Sequence, residues 1–138
     1  MNKVPHSEVE LDRAEARLAE AVKCSEQRWL AAQKDLEAIE AEMPEAALAA
    51  FVTGDNAALD ELMVRQRIAQ RDIAAHQAIC ETHTDDRRAT WVMFWERQIR
   101  IQRKALAGEA PAGLSYHRLP AVLVDPEPGK ALELARSA

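Results

Sequence analysis

Two cysteines and four histidines are the side chains of this 138-residue chain best suited to hold a metal. His76, Cys80 and His83 recur at i, i+4 and i+7, a spacing that puts them on one face of a helix. With Cys24 from an earlier helix they make two thiolates and two imidazoles, the donor set of a tetrahedral zinc site. In that reading zinc staples a helical scaffold, and an oxidised Cys24–Cys80 pair is a variant of the same clamp. Against it, neither helix carries a Cys-x-x-Cys motif, and cysteine also packs as a small hydrophobe with histidine at a polar edge. The expectation is therefore a chain without a cofactor, with zinc as the exception to test.

Catalytic constellations are absent from the sequence. There is no Gly-rich phosphate loop, no Gly-x-Ser-x-Gly and no His-Glu-x-x-His. Asp72 and His76 at i, i+4 suit a hydrogen-bonded pair, but no nucleophile stands beside them in sequence. The chain reads as a non-enzyme.

The residues from 87 to 104 carry a different chemistry. Arg87, Arg88, Arg97, Arg100, Arg103 and Lys104 oppose the single acid Glu96, and Trp91, Phe94 and Trp95 lie among them. Arginines beside exposed aromatic rings grip phosphate and stack bases, which suits single-stranded nucleic acid. The whole chain is nevertheless acidic, net −5, whereas nucleic-acid-binding domains are as a rule basic. The second use of these residues is protein binding. Trp91, Phe94, Trp95 and Gln98 fall at i, i+3, i+4 and i+7, one helical face, and Arg97 and Arg100 flank it. Large aromatic side chains gathered in five residues demand cover by the chain's own C-terminal segment through Leu114, Tyr116, Leu119 and Val122, by a second copy, or by another protein.

A further surface is acidic. Glu8, Asp12, Glu15, Glu26, Glu37 and Glu40 lie along the first helix, a pattern that is ordinarily a solvated face and otherwise mimics nucleic acid in a basic groove.

The elements that must position these residues follow from composition. Alanine supplies 27 of the apolar residues, and from Ser7 to Ala107 the chain holds one proline, Pro44, and one glycine, Gly54. Sheet folds need frequent turn signals and β-branched strands, so the chain is all-α. Ser7 and Glu10 have capping-box spacing and start a helix at Glu8. Leu11, Leu18, Val22, Trp29, Leu36 and Met43 then form a heptad seam with one four-residue stutter. Pro44 predicts its end near Glu42. A short tip helix is expected over 45–52, a turn at Thr53-Gly54-Asp55-Asn56 capped by Asp55 or Asn56, and a second long helix over 56–107. The alternative is a three-helix bundle with a break near Thr84, where threonine and two aspartates suit a fresh helix start. Pairing Met43 with the stretch from Ala57 to Leu59 sets Cys24 near Cys80.

The expected architecture is thus a long antiparallel, coiled-coil-like helical hairpin over residues 1–107, followed by a Pro- and Gly-containing tail over 108–138, docked or disordered. No apolar run approaches the roughly 20 residues that cross a bilayer, so no membrane is expected. The first residues lack the apolar stretch of a secretory signal, and two lone cysteines agree with a cytoplasmic location. The functional expectation is an interaction protein, an adaptor, assembly chaperone or inhibitor acting by steric occlusion. Trp91, Phe94, Trp95, Arg97, Gln98 and Arg100 bind another protein or a second copy as a homodimer. Nucleic-acid binding through Arg87, Arg88, Arg103 and Lys104 is the alternative, and the zinc-stapled scaffold through Cys24, His76, Cys80 and His83 the third reading.

Overall fold

Ser7 and Glu10 start the first helix as their spacing predicts. The Glu10 amide donates to the Ser7 hydroxyl at 3.2 Å and the Ser7 amide donates to the Glu10 carboxylate at 3.1 Å, so two amides that lack helical partners are each satisfied by the other residue's side chain. From there α1 runs over Glu8–Thr53, followed by α2 over Ala57–Cys80, α3 over Trp91–Leu106 and the short α4 over Ala121–Val124. This computed structural model describes residues 4–109, 115–127 and 129. The protein is all-α, and the described residues contain no strand, only an isolated bridge between Thr82 and Thr90.

Pro44 does not end α1, which continues nine residues to Thr53 and absorbs the expected tip helix 45–52. A proline in a helix removes one amide and crowds the carbonyl four residues back. Here both Pro44 and Glu40 are exposed, so water reaches that carbonyl, and the alanines that follow favour continued helix. Gly54 then stops it. Its φ of +75° and the bond from its amide to the Ala50 carbonyl make a left-handed C-terminal turn that only glycine adopts without strain. Asp55 accepts from the Ala57 amide at 3.0 Å and opens α2, in line with the turn read from the sequence.

The second long helix does not extend to residue 107. α2 ends at Cys80 and α3 begins at Trp91, so the break that the alternative reading set near Thr84 is present. The intervening loop is closed by paired backbone: the His83 amide donates to Ala89 at 2.9 Å and the Trp91 amide to Glu81 at 2.8 Å. Thr90, rather than Thr84, caps the new helix, its hydroxyl accepting from the Met93 amide at 3.2 Å. The aspartates serve the loop instead. Asp86 accepts from the Arg88 amide at 2.9 Å and pairs with Arg97.

The chain divides into two compact units, one built from Met1–Val22 with Glu81–Ala138, the other from Lys23–Cys80. In the first, Leu11, Ala14 and Leu18 of α1 pack with Phe94, Trp95 and Ile99 of α3 and with Leu119, Leu123 and Val124 of the C-terminal segment. The second is the helical hairpin of α1 and α2. Its buried apolar residues are Ala32, Ile39 and Ala50 from α1 with Leu62 and Ala69 from α2. Ser25 meets His76 at 2.5 Å, and Asp35 pairs with Arg65, which is the register expected from setting Met43 opposite the start of α2.

Candidate functional site

The aromatic face of α3 is a core face. Phe94, Trp95, Gln98, Ile99 and Gln102 are buried at i, i+1, i+4, i+5 and i+8, while Trp91 at the helix start stays 40% exposed. Phe94 stacks on His83 with ring centroids 3.6 Å apart and meets Trp95 edge-on at 4.9 Å, an arrangement favoured by ring quadrupoles. Of the three covers the sequence allowed, the chain's own C-terminal segment is present. Tyr116 and Leu119 are buried as that reading expects, but Leu123 and Val124 take the place of Val122, which remains exposed. Leu114 lies outside the described residues.

Polar side chains hold this cover in place. The Leu119 amide donates to Nε2 of His6 at 3.1 Å, the His6 amide donates to Oε1 of Gln102 at 2.8 Å, and Nε2 of Gln102 donates to the His117 carbonyl at 2.8 Å. His6 and Gln102 are all but inaccessible. Arg13 donates to the Val124 carbonyl at 2.5 Å, and Arg17 reaches the carbonyls of Val122, Leu123, Asp125 and Pro126. In the four-residue α4 the Ala121 carbonyl accepts from the Asp125 amide, and the two guanidinium groups donate to the remaining carbonyls, those of Val122, Leu123 and Val124. The sequence reading missed His6, Gln102, Arg13 and Arg17. Gln102 continues the i, i+4, i+8 periodicity of Phe94 and Gln98 and was open to detection. His6, one residue before the cap, and the arginines carried no such signal.

The basic residues of 87–104 are partly consumed within the unit. Arg103 bridges Asp12 at 2.7 Å and Glu15, and these carboxylates, Asp12 first, raise its affinity for the proton. Arg97 pairs with Asp86. Arg87, Arg88, Arg100 and Lys104 remain exposed. A cleft of about 370 Å³ between α1 and α3 is lined by Leu18, Ile99, Glu15, Glu96, Arg100 and Arg103, mixed in charge and without a concentrated positive face.

The residues expected to hold zinc have other neighbours. His76 hydrogen-bonds Ser25, stacks on Trp29 at 5.0 Å and lies with Nε2 3.7 Å from the Cys80 thiol. His83 belongs to the first unit, where Nδ1 accepts from the Asp85 amide at 3.0 Å and the ring is stacked on Phe94. Cys24 and Cys80 are both free thiols. Among the described residues no three His, Cys, Asp or Glu side chains converge as metal ligands.

Exposed apolar side chains occur in both units, Val4, Val9, Met93 and Leu106 among them in the first, and the most exposed are in the hairpin unit. Phe51 is 84% exposed, Val52 75% and Leu48 63%, all within the last two turns of α1. Met63, Val64 and Ile68 of α2 and Leu30 of α1 are about half exposed. This unit thus shows more large apolar side chains to solvent than it buries. Arg65 pairs with Asp35 and Glu42 across the two helices, and those carboxylates raise its affinity for the proton, Asp35 foremost.

Fold and surface together define an all-α protein with one unit closed by its own C-terminal segment and one helical hairpin that leaves large apolar side chains exposed. No described helix is long and apolar enough to cross a membrane. Comparison with protein-family models, curated proteins and solved structures finds no match to this chain.

Proposed function

We propose that this chain is a non-enzymatic protein-binding module, an adaptor, assembly chaperone or steric inhibitor, whose contact surface is the apolar stripe at the end of α1. The observation that carries this reading is the exposure of Leu48, Phe51 and Val52 together at the end of α1. Burying a side chain of this kind is worth roughly 1.5 to 3 kcal/mol, and clustered exposed apolar residues on a soluble chain mark contact sites. The surface expected around Trp91 is reduced by the enclosure of Phe94, Trp95 and Gln98, so the weight moves to the hairpin. Nucleic-acid binding has less support, because Arg97 and Arg103 are engaged by carboxylates of their own unit.

The test is a Phe51→Ser, Val52→Ser double variant. Both side chains are exposed, so helical content and melting are expected to stay close to wild type while capture of specific partners from host extract is lost. A folded variant that keeps every partner of the wild type would falsify the reading.

A further inference from the structure

At the end of the hairpin unit away from the α1–α2 turn, four side chains form one cluster. His76 stands one helical turn before Cys80 on α2, and its Nε2 lies 3.7 Å from the Cys80 sulfur. Its Nδ1 meets the Ser25 hydroxyl of α1 at 2.5 Å, and Trp29, one turn further along α1, stacks on the ring with centroids 5.0 Å apart. The imidazole is thus held at both nitrogens and on one face. Cys80 is an exposed free thiol and the last residue of α2.

A thiol beside a base that a third group orients is the arrangement of an activated sulfur nucleophile. We infer that Cys80 is a site of reversible S-thiolation by low-molecular-weight disulfides, with His76 as its base and Ser25 as the residue that positions the base. His76 takes the thiol proton at Nε2, and the doubly protonated ring then donates to both neighbours, to the Ser25 oxygen through Nδ1 and to the sulfur anion through Nε2. The Cys80 sulfur attacks one sulfur of the disulfide; the new S–S bond forms as the old one breaks, and the departing thiolate receives the proton from His76. Cys80 is oxidised, the departing sulfur is reduced, and the disulfide is the only reactant required. The position of Cys80 in its helix makes His76 necessary. A helix C-terminus carries partial negative charge and opposes an anion, so the activation must come from the imidazole. The stripe of Leu48, Phe51 and Val52 lies at the other end of this unit, so neither site depends on the other.

The experiment follows the intact mass of the full chain with glutathione disulfide at neutral pH, with Cys24→Ser reporting Cys80 alone and Cys80→Ser reporting Cys24 alone. Folded Cys80 is expected to react at least about tenfold faster than the same thiol in urea, whereas half-buried Cys24 gains nothing from folding. His76→Gln keeps a partner for Ser25 but supplies no base, and should slow Cys80 about tenfold while leaving Cys24 unchanged. Ser25→Ala should slow Cys80 about threefold, and Ser25→Thr should restore it. A Cys80 that reacts no faster folded than in urea overturns the inference, as does modification that falls first on Cys24 in the wild-type chain, or a Cys80 rate that survives His76→Gln. The folded-to-urea ratio needs no substitution at His76 or Ser25, so it decides even where His76→Gln loosens the hairpin and speeds Cys24.

Discussion

The backbone amide of Leu119 donates to Nε2 of His6, 3.1 Å away and 113 residues earlier in the chain. Because that nitrogen accepts, the ring proton resides on Nδ1, which faces the Glu10 carboxylate at 3.4 Å. One buried imidazole thus connects the start of α1 to the covering segment. In a His6→Ala variant the Leu119 amide has no acceptor and a small cavity opens. The expected loss is about 2 to 4 kcal/mol, read as a lower urea midpoint, with a red shift of tryptophan emission if the cover lifts. A loss below about 0.5 kcal/mol would show that His6 is not a fastener.

Arg17 performs a related task through charge rather than burial. Its guanidinium donates to carbonyls at the C-terminal end of α4, where the helix dipole is negative. Arg17→Ala is expected to cost about 1 to 2 kcal/mol and to speed amide exchange in residues 119–126. Arg17→Lys should recover part of this, since an ammonium lacks the planar fork that spans several carbonyls. Unchanged exchange over 119–126 would contradict the assignment.

Trp95 separates shape from polarity. It is 8% exposed, and its Nε1 is buried without a hydrogen-bond partner among the described residues. Trp95→Ala removes ring contacts to Phe94 and Trp91 and is expected to cost about 3 to 5 kcal/mol. Trp95→Phe loses volume but also an unsatisfied donor, so its cost should be less than about half of that. Equal costs for the two variants would mean that the indole N–H has a partner in solution.

Two carboxylates of the first unit predict a loss of stability in acid. The Ser7 backbone amide holds Glu10 below its ordinary 4.5, and the Arg88 amide followed by Arg97 holds Asp86 below its ordinary 3.8. A depressed folded-state value stabilises the fold above the unfolded value, and that stabilisation is lost as pH falls through the folded one. Urea midpoints should therefore fall as pH drops below about 4.5, Glu10 giving way from the higher starting value. Glu10→Gln should flatten the upper part of that fall. A midpoint that holds steady or rises as pH drops from 5 to 3 would contradict the sign.

Much of the fold was legible because its signals are local. The Ser7–Glu10 box, the Gly54 turn and the hairpin register each depend on residues close in sequence or on one repeating period. The fate of Trp91, Phe94 and Trp95 was not local. Their periodicity specified a face that must be covered, but the cover comes from Leu119, Leu123 and Val124, in a segment whose sequence resembles a short strand. Helix continuity through Glu81–Thr90 was also undecidable from propensity alone, because the backbone pairing of His83 with Ala89 competes with helix in that stretch.

Pro44 offers the clearest contest between a local rule and its surroundings. The rule predicts a stop; α1 instead passes through, with Met43 half-buried before it, Ala46 half-buried and Ala50 buried after it. The helix therefore carries a proline penalty that its alanines and its packing against α2 offset. Pro44→Ala restores an amide able to bond the Glu40 carbonyl and removes the ring clash without touching the core, since position 44 faces solvent. The expected result is stabilisation of about 1 to 3 kcal/mol, with slower amide exchange over 40–50. Destabilisation by Pro44→Ala would mean that the chain uses a bend at this position and that the continuous α1 is not its state in solution.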